Sequence, residues 1–129
     1  MEAENISGIE ITDNEAVKKA ANEIMQFGVK QVFITMGSKG VHYKNVITEN
    51  TLYAKEIQVR NSTGAGDAFF SGAIWSYLHG SDINKMAYYG QAAAVVALKS
   101  EFAGADGLCE AAILSENPED IMHRGKVIR

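Results

Sequence analysis

The feature that most constrains this chain is the order of extended segment, glycine turn and apolar helix between positions 52 and 78. Leu52 to Val59 reads as a strand with a break near Lys55, and Thr63-Gly64-Ala65-Gly66 as a tight turn. Asp67 to Leu78 reads as a helix with Ala68, Phe69, Gly72 and Ala73 available for a packed face. A strand that feeds a helix through glycines leaves backbone N–H groups at a helix N-terminus, where partial positive charge favours an anion. Gly64 and Gly66 carry no Cβ, so an anion can come close to the backbone there. Two readings of Asp67 stay open on spacing alone. It caps the helix, the commoner role of Asp after a glycine turn, or its carboxylate takes the proton of a hydroxyl that attacks a bound phosphate.

Upstream, Ala16, Val17, Ala20, Ala21, Ile24 and Met25 recur at helical spacing, with Asp13 as the cap and Gly28 as the stop. Val29 to Met36 is a β-branched and aromatic run ended by Gly37, a buried strand. Val41 to Lys44 and Val46 to Thr48 read as further short strands in a hairpin-like excursion. A third helix opens at Ser81 or Asp82 and continues through Leu98, and its AAAVVA run predicts close packing. Short helical pieces are expected from Leu108 to Leu114 and after Pro118, with a loosely held tail from His123.

With a net charge of -4 and no clustered Lys/Arg, the chain has no footprint for a phosphate backbone or an anionic membrane, which excludes nucleic acid as a partner class. Its longest apolar runs fall short of the roughly 20 residues that cross a bilayer, so no membrane partner is expected. Glu2 and Glu4 stand where a secretory leader would be basic, and the single cysteine, Cys109, forms no internal disulfide; both point to a cytoplasmic protein. His42, His79 and His123 are scattered without metal-site spacing, and each is read as structural.

The run NSTGAGDAFFSGA, from Asn61 to Ala73, resembles the second signature of the ribokinase-like (PfkB-type) family of sugar and nucleoside kinases. The resemblance implies Asp67 as catalytic base and the N–H groups of Gly64, Ala65 and Gly66 as an anion hole. Ile34-Thr-Met-Gly-Ser-Lys-Gly-Val41 is similar to the family's Thr-x-Gly-x-x-Gly segment, which implies nucleotide contacts for Thr35, Gly37, Ser38 and Gly40. Gly90-Gln-Ala-Ala-Ala-Val95 looks like the stretch near the adenine, with Gln91 in the contacting place; a plain polar residue on a buried helix is the alternative. The start, Glu2-Ala-Glu-Asn-Ile-Ser-Gly8, resembles the family stretch after Asn-x-x-Glu, which makes Glu2 the glutamate that helps position magnesium; a frayed terminal glutamate is the alternative.

One position departs from the pattern. Asn61 replaces the signature's first Asp, a contributor to a monovalent cation site in members that use one, and Asn keeps an oxygen ligand but loses the charge. Asn there also occurs among pseudouridine-kinase-like members, which favours a nucleoside over ribose or a hexose.

The fold implied is α/β, a three-layer α/β/α (Rossmann-like) arrangement, of which residues 1–129 are a single partial domain, the C-terminal nucleotide-binding half. The substrate and lid half with the first glycine-rich signature is not recognisable. The function implied is phosphorylation of a sugar or nucleoside hydroxyl with ATP and Mg²⁺, nearly inactive in this fragment alone because the acceptor is not oriented. A cut parallel sheet would expose an edge and apolar surface, so a homo-oligomer is expected. The alternative is a non-catalytic nucleotide-binding or regulatory module that retains the kinase fold.

Overall fold

The computed structural model describes residues 2–53 and 64–99. Asn61, the strand expected beyond Tyr53, Cys109, His123 and the helical pieces expected after Leu108 lie outside the described residues. In chain order the elements are α1 (Glu2–Ser7), α2 (Asn14–Met25), β1 (Val32–Thr35), β2 (Val41–Lys44), β3 (Glu49–Leu52), α3 (Ala65–Leu78) and α4 (Ile83–Lys99), with a 3-10 turn at Gly37–Lys39 between β1 and β2.

The strands form one sheet in the order β1-β2-β3, antiparallel throughout, with Phe33 opposite Tyr43 and Val41 opposite Leu52. No parallel pair occurs among the described strands, because β1 turns straight back on itself through the glycines that follow it. Strand alternation gives the sheet two apolar faces. Val32 and Ile34 pack with Val17, Ala20 and Ala21 of α2. Phe33, Val41, Tyr43 and Leu52 pack with α3 and α4. The sheet is thus the middle of three layers, the α/β/α arrangement anticipated from the sequence.

The expected strand at Val46 to Thr48 is instead the β2–β3 turn. Asn45 Oδ1 accepts from the N–H groups of Ile47 (2.9 Å) and Thr48 (2.6 Å), an Asx turn that holds Val46 and Ile47 in solvent. At the start of the chain, Glu2 opens a short helix and is exposed.

On the α2 face the sheet contains a buried polar cluster. His42 Nδ1 lies 2.7 Å from Thr51 Oγ1, and its Nε2 lies 2.9 Å from Glu49 Oε2. A neutral imidazole satisfies both if Nε2–H donates to the carboxylate and Nδ1 accepts from the hydroxyl. Burial pushes the His42 pKa below its ordinary value, against the pull of Glu49. Burial would raise Glu49, but the hydrogen bonds from His42 and Lys44 outweigh it and hold that carboxyl below its ordinary value. The structural reading of His42 agrees with this arrangement.

The opposite layer is built from small residues. A Cβ added to Gly72 of α3 would lie 2.5 Å from the Tyr89 carbonyl oxygen and 2.8 Å from Ala93 Cβ, and one added to Gly90 of α4 would lie 2.8 Å from the Phe69 ring. The close packing expected from the AAAVVA run is therefore reciprocal, one glycine from each helix opening room for the other. Phe69 fills that room at 1% exposure and meets Phe33 edge-on at 5.8 Å.

Candidate functional site

The N-terminus of α3 is left without a side-chain cap among the described residues. Gly64 is its N-cap at φ 84° and ψ 3°, left-handed backbone that favours glycine, and it supplies no side-chain cap. The first helical bond runs from the Ala68 N–H to the Gly64 carbonyl at 2.9 Å. The N–H groups of Ala65, Gly66 and Asp67 therefore have no acceptor within the helix. A Cβ on Gly66 would meet nothing within 4 Å, so the backbone is open to an incoming group.

Asp67 occupies the first turn and is exposed. It is the third helical residue and not the cap, since Gly64 holds that place. Among the described residues its carboxylate has no hydrogen-bond partner, while its carbonyl accepts from Ser71 Oγ at 2.9 Å. A carboxylate so placed, beside free N–H groups at the positive end of a helix dipole, can accept a proton next to a bound anion.

The second motif closes the end of β1. The Met36 N–H donates to the Gly40 carbonyl at 2.8 Å around the 3-10 turn, which contains Gly37 at φ 58° and Ser38 and is followed by Gly40 at φ 101°. Both glycines are needed, because left-handed φ is costly for other residues. Gly40 is buried and Gly37 exposed. Thr35 lies on the α3 and α4 side of the sheet, opposite Val41.

Three motif segments border one cleft of about 340 Å³: Glu2 of the first, Thr35 of the second, and Phe70, one turn beyond Asp67, of the third. Ile6, Val32 and Ile24 supply apolar wall. Gln91, 6% exposed, does not line it; it sits in α4 beside the buried Ala92 and Ala93. The structure thus brings Glu2 and Thr35 to one cleft with Phe70 of α3, whereas neither Gly64 to Asp67 nor Gln91 lines it.

Two residues escaped the sequence reading. Glu4, not Glu2, holds the first loop, since its Oε2 accepts from the Ile11 N–H at 2.8 Å, and that N–H keeps the Glu4 carboxyl below its ordinary value. Phe70 forms cleft wall at 43% exposure. A helix apolar on all sides, such as AGDAFFSGAIWSYL, is the signal that could have marked it. Among the described residues no group of three or more His, Cys, Asp or Glu is arranged to hold a metal ion.

Beside this geometry stands a match of residues 1–108 to the pattern of a known family, the pfkB family carbohydrate kinases. The chain belongs to the pfkB family of carbohydrate kinases. It is 32% identical over 122 residues to the pseudouridine kinase of Escherichia coli, covering 92% of this chain and 39% of that protein. A Clostridium perfringens protein assigned as a sugar kinase superposes with a TM-score of 0.83 at 28% identity, covering 88% of this chain and 36% of the other. The ribokinase of Arabidopsis thaliana, complexed with ribose and ATP, has the same fold at a TM-score of 0.79 and 23% identity, covering 88% of this chain and 37% of the other. The chain therefore spans well under half the length of these relatives.

Proposed function

We propose that this chain is the nucleotide-side part of an ATP-dependent kinase that phosphorylates a hydroxyl of a sugar or nucleoside. The observation that carries the proposal is the start of α3, where, among the described residues, neither the first N–H groups nor the adjacent Asp67 carboxylate has a partner. Asp67 is the catalytic base, and the N–H groups of Gly64, Ala65, Gly66 and Asp67 form the anion hole. The Thr35–Gly40 turn, with Gly37 and Ser38, lies against the nucleotide, and Gln91 approaches its base.

The residues fit a bound phosphate, since the Gly64 cap leaves donors free and Gly66 leaves space in front of them. ATP with Mg²⁺ supplies the transferable phosphoryl group and neutralises charge on its oxygens. The chain's own part is to receive the developing negative charge on fixed N–H donors and to take the acceptor's proton on Asp67. Phosphate-bound magnesium needs few protein carboxylates, so the exposed Glu2 at the cleft is enough to help position it. Asn61 makes any monovalent cation site weaker than Asp would. The similarity to a pseudouridine kinase supports a nucleoside acceptor.

The substrate and lid half belongs to chain outside these 129 residues, so this part alone is nearly inactive. Calorimetry of this chain with Mg-ATP, together with turnover of the longer kinase carrying Asp67→Asn, tests the reading. Binding here and a loss of at least a thousandfold in kcat there are expected. Near-normal turnover of the Asp67→Asn enzyme removes Asp67 from the role of base. Binding by this chain together with an inactive longer protein favours the non-catalytic nucleotide-binding module.

A further inference from the structure

Phe69 stands two positions after Asp67 in α3, Phe33 two positions before Thr35 in β1, and Gly90 directly before Gln91 in α4. These three residues meet at one point. The Phe69 ring faces Phe33 edge-on at 5.8 Å and 61°. A Cβ built on Gly90 would lie 2.8 and 2.9 Å from two carbons of the same ring and 2.9 Å from the Phe69 carbonyl oxygen, so the α4 backbone is pressed against it. Phe70 closes a further side at 5.3 Å and 86°. At 1% exposure, with backbone on one flank and rings on two others, Phe69 cannot shift without moving α3 or β1. Among the described residues α3 packs along α4, and no backbone hydrogen bond joins it to β1, so side-chain packing sets its place over the strand. Phe33 and Thr35 share one side of β1 by strand alternation and both line the cleft. Asp67 lies within one helical turn of Phe69, so a tilt of α3 about this ring displaces the carboxylate.

We infer that Phe69 is a positioning residue for phosphoryl transfer: its ring, wedged between Phe33 and Gly90, sets the distance from the Asp67 carboxylate to the nucleotide turn at Thr35–Gly40. The inference rests on the reading of Asp67 as base and of that turn as a nucleotide contact. Phe69 touches neither the acceptor nor the phosphate and acts through Asp67. An error of about 1 Å in the placement of a reacting group costs on the order of a hundredfold in rate, so a buried ring two residues away governs chemistry that it does not touch. The same ring, through Gly90, holds the start of the Gln91 segment against α3, so one side chain joins all three segments read as nucleotide or base contacts.

Turnover of the longer kinase carrying Phe69→Leu, measured both with Asp67 intact and in combination with Asp67→Asn, tests the inference. Phe69→Leu should lower kcat about tenfold where Asp67 is present and leave the residual turnover of Asp67→Asn unchanged, because a base that is absent cannot be misplaced. A mere loss of folded enzyme would lower both by the same factor. Phe33→Leu, at the half-buried partner, should reproduce the loss, and the two Leu substitutions together should cost little more than either alone, since they break one contact. Should Phe69→Leu fail to fold, Phe33→Leu carries the test in the same two backgrounds. Full turnover of both single variants, equal factors in the two backgrounds, or losses from Phe69→Leu and Phe33→Leu that multiply each overturn the inference while Asp67 remains the base. Near-normal turnover of Asp67→Asn by itself overturns the inference together with the reading beneath it.

Discussion

The two helical layers use opposite means to end and to pack a helix. α2 is closed at its start by the Asp13 side chain, which accepts from the Ala16 N–H at 2.8 Å, and it buries one stripe of Val17, Ala20 and Ala21 while Lys18, Lys19, Asn22 and Glu23 face solvent. α3 starts at a bare glycine, its first N–H groups have no acceptor among the described residues, and it packs on α4 through Gly72 and is apolar on its outer side. A helix end satisfied by its own sequence has nothing to offer a ligand, and a helix with one apolar stripe has nothing to offer a partner. α3 keeps its start uncapped and its outer side apolar, and the candidate chemistry lies at that start.

The comparison breaks most readily at the α3–α4 contact. Gly72→Ala drives a methyl into the Tyr89 carbonyl, which is backbone and cannot swing aside, so a loss of about 3 kcal/mol is expected in urea denaturation. Gly64→Ala should cost about 1–2 kcal/mol through its left-handed φ. It should also weaken Mg-ATP binding at least tenfold in calorimetry, because the N–H groups turn with the backbone. Asp13→Ala sharpens the contrast: a loss of about 1 kcal/mol with nucleotide affinity unchanged, since that cap serves only α2.

The smallest effect lies on the α2 face and is read as a slope. The folded-state pKa of His42 is below the ordinary 6.5, so the unfolded chain binds the proton first. The stability held by the neutral ring is complete above 6.5 and is lost as pH falls through the lower folded-state value. Glu49, also lowered, acts in the same sense further into acid, below 4.5. Thermal melts should fall more steeply with acid below pH 6.5 for the native chain than for His42→Gln. Parallel slopes would remove His42 as the cause.

Much of this architecture is legible in the sequence because its causes are local. Asp13 and the spacing from Ala16 to Met25 specify α2, and Gly37 and Gly40 specify the return after β1, as each depends only on nearby backbone. The strand read at Val46 to Thr48 failed for an equally local reason, since the Asn45 side chain captures the two N–H groups a ladder would have needed. Of the candidate site, the order of motifs was legible, together with the family they resemble. That Glu2 and Thr35 share a cleft with Phe70, and Gln91 does not, was out of reach, because these residues are far apart in sequence.

By itself, then, the amino-acid order determined where helices begin, which glycines turn the chain, and that Asp67 follows a glycine turn. Only the tertiary structure decided that Gly66 stays open while Gly72 and Gly90 are filled by the opposing helix, and that His42 is closed off between Thr51 and Glu49. The physical reason is the range of the forces. Backbone sterics and capping bonds act within about four residues. Close packing and burial depend on which distant segments meet.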